Sequence, residues 1–334
     1  MATLIQLYPL VFTPIYKDYI WGGDRIIRRY RRTAPPGFYA ESWELADRPE
    51  AMSVVRDGPL AGRTLADLRR DYGSQLLGCQ AAERFPLLVK LLDARECLSV
   101  QVHPDEASAA AVGGEPKTEA WYVIDAEPGA LVYAGLRAGV GAETFRRALE
   151  AGSLKELLLA VPVRPGDLIY IPGGRVHAIG AGCLLLEVQQ NSDTTYRVFD
   201  WQRLDRNGQP RQLHVEQALH VIRWSATAPT HLPPPAGLWA APKAAAVCHE
   251  RLRTPYFQIN QLVIVTRYAA ATSAESFQII FVEDGALRLQ SAQATLSAAA
   301  GTTLLLPAAL GAYEISALTA PLRIVQISLP SKLA

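Results

Sequence analysis

The sequence predicts a mainly β protein, a sandwich or barrel. Short β-branched or apolar runs recur along most of the chain, Gly, Pro and Asp punctuate them at regular intervals, and helical periodicity is confined to three segments. In order, the first strand candidates are Met52–Val55, Leu87–Leu92, Cys97–Val102, Ala120–Ile124, Leu131–Tyr133, Asp167–Ile171 and Cys183–Val188. Thr64–Leu77 reads as a helix, with Leu65, Leu68 and Tyr72 on one side. Glu143–Leu159 has the same spacing through Phe145, Leu149, Leu154, Leu157 and Leu158, with Gly152 interrupting it, and Val215–Ile222 is a shorter third case. The last two predict a small helical insert at about 143–160 and 215–222. Ala228–Gly237 is a Pro-rich connector. Beyond it the strand rhythm resumes at Phe257–Val265, Phe277–Val282, Ala286–Leu289, Thr302–Leu306 and Arg323–Ile327.

The 334 residues suggest two domains, and 49% apolar composition is enough for substantial cores. A formal net charge of +1 gives no field that would draw nucleic acid or an anionic membrane. The basic run from Arg25 to Arg32 stands alone and reads as a solvated face. Cys79, Cys97, Cys183 and Cys248 show no Cys-x-x-Cys spacing and read as reduced thiols, and the Cys248-His249 pair as incidental. Pro9 and Pro14 break the apolar N-terminal stretch, which is not expected to be a signal peptide. The Ser-Lys-Leu near the end is followed by Ala334 and is not expected to act as a terminal address. No apolar stretch reaches the ~18 residues that span a bilayer. A cytoplasmic protein without nucleic-acid or membrane partners is expected, either a monomer or a homodimer.

Four potential metal ligands lie in three segments. Gln101 and His103 occur in Leu-Ser-Val-Gln-Val-His-Pro-Asp, two apart and therefore on one strand face. Glu119 lies in Pro-Lys-Thr-Glu-Ala-Trp-Tyr-Val, and His177 in Pro-Gly-Gly-Arg-Val-His-Ala. Two imidazoles, a carboxylate and an amide oxygen suit zinc or a similar first-row dication. His214, His220, His231 and His249 lack partners at ligand spacing. Pro165-Gly-Asp-Leu-Ile-Tyr-Ile-Pro172 is echoed by Gly301-Thr-Thr-Leu-Leu-Leu-Pro307, and the later position matching His177 is Ala312. The second copy thus keeps the turn and strand without the ligand.

At these residues the chain resembles the type I phosphomannose isomerase family in its shorter bacterial form. The resemblance rests on the ordered combination of Gln-Val-His-Pro-Asp, Lys-x-Glu, Gly-Arg-Val-His and Thr-Tyr-Arg. It extends to Tyr19-Ile-Trp-Gly-Gly, Glu41-Ser-Trp-Glu, Phe85-Pro-Leu-Leu-Val-Lys and Asn191-Ser-Asp-Thr-Thr-Tyr-Arg-Val. It implies two cupin-type β-barrel (jelly-roll) domains with a small helical insertion. Residues 1–227 would form the metal-binding domain, 228–237 the linker, and 238–334 a degenerate second copy. It also implies one Zn²⁺ per chain, replaceable by Mn²⁺ or Co²⁺, on Gln101, His103, Glu119 and His177. The implied reaction interconverts mannose 6-phosphate and fructose 6-phosphate. Longer members carry a His where this chain has Pro116, so no role of that His transfers.

An aldose–ketose interchange needs a proton carrier near C1 and C2. Glu187, after an apolar run, is the candidate, with a structural pairing to a nearby Arg and metal-bound water as the alternatives. Arg197 is the residue the family pattern marks as catalytic, and its charge suits an enediolate or a phosphate. A structural ion pair with Asp193 or Asp200 is the alternative. Lys117 shares a face with Glu119 and Ser99 shares one with Gln101, so both are candidates to hold phosphate. Trp21, Trp43 and Trp121 read as packing first and pocket wall second. Two other functions fit parts of the pattern. His103, Glu119 and His177 can form a triad for an Fe(II) dioxygenase, and the whole set can serve a non-catalytic sugar-phosphate-binding cupin.

Overall fold

The computed structural model describes residues 5–79, 82–225, 230–239 and 242–330. The fold is mainly β, built from antiparallel sheets, and the chain divides into two compact units. One unit comprises Tyr16–Trp43 and Leu87–Pro234, and the other Met1–Ile15, Glu44–Pro86 and Pro235–Ala334.

The first of these units holds a seven-stranded and a five-stranded sheet. Strand alternation explains how they meet. Leu92, Trp121, Val123, Ile169, Ile171 and Leu185 from the larger sheet share one core with Val132, Ala134, Val161 and Ile179 from the smaller. The opposite face of the five-stranded sheet, with Val100, Val102, Tyr133, Ala178 and Val198, is covered by Phe145, Leu154, Ala218 and Val221. Those four come from the helix Ala142–Glu150, the 3₁₀ turn Leu154–Leu157 and the helix Val215–Val221. Gly152, at φ +69°, separates the first two.

The other unit faces a six-stranded sheet with a four-stranded one. Leu262, Ile264, Ile280, Val282, Leu304, Leu306, Leu322 and Ile324 pack against Leu287, Leu289, Tyr313 and Ile315. The helix expected over Thr64–Leu77 is two, Leu65–Tyr72 and Ser74–Leu77, divided at Gly73 with φ +49°. Thr64 and Asp67 close a capping box at its start.

The units do not follow the expected division at 227. Strand Leu10–Val11 pairs with Thr303–Leu306 in the six-stranded sheet, and Phe85 stacks on Phe277 at 4.5 Å. The early segments thus complete the later sandwich, a pairing that local periodicity does not encode. The expected 228–237 connector also differs in part: Thr230–Leu232 form an edge strand against Leu168–Tyr170, while 226–229 lie outside the described residues. All four cysteines are free thiols. Among the described residues no helix is long and apolar enough to cross a membrane.

Candidate metal centre and adjoining cavity

Strand register assembles the predicted ligands. Gln101 on Val100–Val102 lies opposite His177, the first residue of His177–Ile179, and on its other side opposite Arg197 of Tyr196–Phe199. Glu119 opens the strand Glu119–Ala126 in the facing seven-stranded sheet. His103 Nε2 is 3.4 Å from Glu119 Oε2, His177 Nε2 is 3.4 Å from Glu119 Oε1, and Gln101 Nε2 is 3.3 Å from His177 Nε2.

Both imidazoles face the centre with a lone pair. Their Nδ1 atoms lie 2.8 Å from carbonyl oxygens, Thr194 O for His103 and Arg175 O for His177, which places the ring proton on Nδ1. Burial, followed by the charge of Lys117, depresses His103 to about 3. Burial also lowers His177, against the pull of Glu119. Burial pushes the Glu119 carboxyl up, but Lys117 and then His103 outweigh it and hold the group well below the usual carboxylate range. Neutral imidazoles beside an ionised carboxylate are the protonation states that a cation requires.

These residues fit a metal ion. The fully buried Glu119 carboxylate has lone pairs that no hydrogen bond fills: the Lys117 ammonium flanks Oε2 at 2.9 Å, while Oε1 faces the bare Nε2 of His177, an arrangement that a shared cation relieves. Two ligand atoms about 2.1 Å from one tetrahedral ion sit roughly 3.4 Å apart, which matches the spacings found. The Gln101 amide presents its oxygen instead of its nitrogen by a half-turn, and the two atoms are interchangeable in placement.

A cavity of about 320 Å³ adjoins the centre, and Gln101, Lys117, Glu187, Ser99 and Arg197 all line it. Glu187 lies in register between Trp121 and Lys90. The Trp121 indole donates to Glu187 Oε2 at 3.1 Å, and Lys90 Nζ is 3.5 Å from Oε1. Burial, then the charge of Glu119, raises its pKa. The ionic partner is therefore Lys90, not an Arg. Arg197 forms no ion pair with Asp193 or Asp200: its Nε donates to Ser99 Oγ at 3.3 Å and its Nη1 to Gln212 O at 2.9 Å. Lys117 is turned inward. Its Nζ is 2.9 Å from Glu119 Oε2 and 3.3 Å from His103 Nε2, at the part of the lining beside the candidate ligands.

Sequence reasoning gave no role to Glu41 and Lys90. Glu41 accepts from Trp43 Nε1 at 2.6 Å and lies 3.6 Å from Lys90, which sits over the Trp43 ring at 4.6 Å. The available signal was one lysine inside an otherwise apolar run. Of the tryptophans, Trp21 lines the cavity, while Trp43 and Trp121 orient its carboxylates.

Comparison with known proteins agrees with this geometry. Residues 10–134 match the profile described as phosphomannose isomerase type I, catalytic domain. The chain is 36% identical over 310 residues to the probable mannose-6-phosphate isomerase GmuF of Bacillus subtilis, covering 92% of this chain and 96% of that protein. The chain belongs to the type I phosphomannose isomerase family. ManA of the same organism, named a mannose-6-phosphate isomerase, is 36% identical over 318 residues, covering 92% and 95% of the two chains. The crystal structure of a mannose 6-phosphate isomerase from Bacillus subtilis superposes with a TM-score of 0.85 at 32% identity, covering 96% of this chain and 99% of that one. Membership in this isomerase family favours neither the dioxygenase nor the non-catalytic reading.

Proposed function

We propose that the protein is a metal-dependent isomerase that interconverts mannose 6-phosphate and fructose 6-phosphate in the cytoplasm. The observation that carries this is the convergence of a buried carboxylate, Glu119, on the Nε2 atoms of two neutral imidazoles and on an amide, at the wall of a cavity that Glu187 and Arg197 also line. One Zn²⁺ on Gln101, His103, Glu119 and His177 would supply Lewis acidity to the sugar's carbonyl and hydroxyl oxygens.

The chain's own residues then have the following tasks. Glu187, as carboxylate, takes the C2 proton of the open-chain aldose and returns it to C1, and the O2 hydroxyl proton passes toward O1. Its raised pKa suits a group that must both accept and release the proton, and Lys90 and Trp121 hold it in place. Arg197 offers fixed positive charge to the substrate's phosphate or to the enediolate oxygens. Ser99 accepts from Arg197, so its own hydroxyl proton remains available to a phosphate oxygen. Lys117, hard against Glu119 and His103, tunes the ligands' charge, and this ion pair makes it the weakest of the phosphate candidates.

A coupled assay of mannose 6-phosphate conversion with and without chelator tests the proposal. Chelated protein should lose activity, and Zn²⁺, Mn²⁺ or Co²⁺ should restore it. Undiminished turnover in metal-free protein would overturn the reading.

A further inference from the structure

The cavity wall carries two electrostatically different groups of side chains. In one, Glu41, Glu187 and Asp193 all act on the Lys90 ammonium, beside the metal ligands. In the other, Arg197 and Arg211 line the wall, and Arg203 stands close enough for its charge to act on Arg197. Asp200 accepts from Arg203 and Arg211, Glu96 lies 3.8 Å from Arg203, and Arg197 donates to Ser99 Oγ and Gln212 O rather than to a carboxylate. With Asp200 shared between Arg203 and Arg211, and Arg197 held by a hydroxyl and a carbonyl oxygen, the wall keeps positive charge in excess of its carboxylates.

The backbone is shaped to bring Arg211 there. After the strand Tyr196–Phe199 it bends through Trp201 and Gln202 at φ +56° and +55°, a left-handed conformation that residues with side chains rarely adopt. The Trp201 indole anchors the bend by donating to Leu98 O at 2.7 Å. Asp205 then closes a turn, its Oδ1 accepting from Asn207 N at 2.8 Å and Gln209 N at 2.9 Å, and Leu204 bridges Pro210. The chain returns with Arg211 lying along Asp200: Nε donates to Oδ2 at 2.7 Å and Nη2 to Oδ1 at 2.6 Å. This two-pronged hold fixes the guanidinium plane. It leaves Nη1 without a partner among the described residues, on a side chain that borders the cavity.

We propose that Arg211 is a second guanidinium contacting the substrate's phosphate dianion, alongside Arg197 and Ser99, and that Asp200 is the residue that positions it. The proposal rests on the sugar-phosphate reading above and adds a residue to it. A phosphate dianion presents several acceptor oxygens, and planar guanidiniums meet them with directed donors that a flexible ammonium lacks. Arg197 alone satisfies only part of that demand.

The test uses the metal-loaded enzyme and two neutral variants, Arg211→Met and Arg211→Gln, the latter retaining a donor toward Asp200. Calorimetric titration with inorganic phosphate and steady-state kinetics with mannose 6-phosphate are both measured. Loss of a charge-assisted hydrogen bond should raise the phosphate Kd and the KM about ten- to a hundred-fold, with a smaller change in kcat. Asp200→Asn should shift KM in the same direction by less, which a purely loop-pinning role would not do. Wild-type KM and phosphate affinity in either folded Arg211 variant would reduce the Asp200–Arg211 pair to a structural brace and overturn the proposal. So would a wild-type enzyme indifferent to inorganic phosphate. A wild-type enzyme that binds phosphate but converts no mannose 6-phosphate would instead sink the isomerase reading and leave the anion site standing.

Discussion

In the unit that carries the centre, the turn at Gly166 leads into the strand Leu168–Ile171, then Pro172, then His177 at the head of the strand His177–Ile179. In the other unit, Gly301 leads into Thr303–Leu306, then Pro307, then Ala312 at the head of Ala312–Ala317. Each passage runs from the larger sheet of its sandwich to the smaller. His177 is fully buried and Ala312 exposed. The second interior is nevertheless not all apolar. Tyr313 donates to Gln278 Oε1 at 2.5 Å, Gln326 Nε2 to the same oxygen at 3.0 Å, and Asn260 Nδ2 to Gln326 Oε1 at 3.1 Å. There, amides and a phenol satisfy one another. Around Glu119, the carboxylate oxygens face two imidazole lone pairs, with the Lys117 ammonium beside Oε2. Buried polarity alone does not make a cation seat; a surplus of lone pairs does.

Removing that surplus should have the largest effect. Glu119→Gln replaces an anion with an amide that can donate to an imidazole Nε2, making the centre resemble the self-satisfied cluster of the other unit. Metal content by plasma emission should fall to background, and turnover should drop at least about a thousand-fold. A variant that retains a full equivalent of zinc would break the comparison.

Glu187→Gln sharpens it by separating chemistry from metal binding. The amide keeps a hydrogen bond with Trp121 but cannot carry the proton, so kcat should fall about 10²- to 10⁴-fold while bound metal stays at wild-type level. Retention of wild-type kcat would hand the proton to another group.

Acid should expose the same difference in protein stripped by chelator. His103 and His177 are depressed in the folded state, His103 to about 3 against an ordinary 6.5, so the unfolded chain protonates first as pH falls. Their stabilisation is complete above about pH 6.5 and drains as pH drops below it, for His103 down to about 3. Glu119, held far below 4.5, adds a further loss beneath that value. Glu187 has the opposite sign: its raised pKa contributes stability at low pH that is lost as pH climbs through the raised value. Denaturant melts should show stability falling by about 1.4 kcal/mol per pH unit from His103 below pH 6, with His177 adding a loss of the same sign. His103→Asn should flatten that limb. Parallel pH profiles for wild type and variant would show that the imidazole is not the source.

Much of the centre was legible because strand parity is a local rule. Gln101 and His103 stand two apart, as do Lys117 and Glu119, and in the structure each pair turns toward the same place. Parity did not say what Lys117 would touch, since that depends on which strand lies opposite. The meeting of Glu119 with His177 comes from facing sheets, information that pattern lacks and that only the family resemblance supplied. The division at 227 misses the early strand of the later sandwich for the same reason: Leu10 opposite Leu305 is a pairing across nearly the whole chain. Lys90 left a trace as a charge in an apolar run. Arg211 left none, because a left-handed bend and an Asx-type turn decide where it lands.

The smallest effects should come from the unit without ligands. Tyr313→Phe removes one donor from a network in which Gln326 Nε2 can still reach Gln278 Oε1, so the loss should be about 1 kcal/mol. Gly301→Ala places a Cβ at φ +84°, where glycine alone is unstrained, and should cost about 1 kcal/mol or somewhat more. Both variants should lower the melting temperature by a few degrees while kcat, KM and zinc content stay at wild-type values. The pairing of the two is deliberate: Gly301 matches Gly166 in the turn that leads to His177, so it tests whether the skeleton without the ligand matters to chemistry. A fall in kcat from Gly301→Ala with zinc content unchanged would give the second sandwich a part in turnover that its satisfied interior does not suggest.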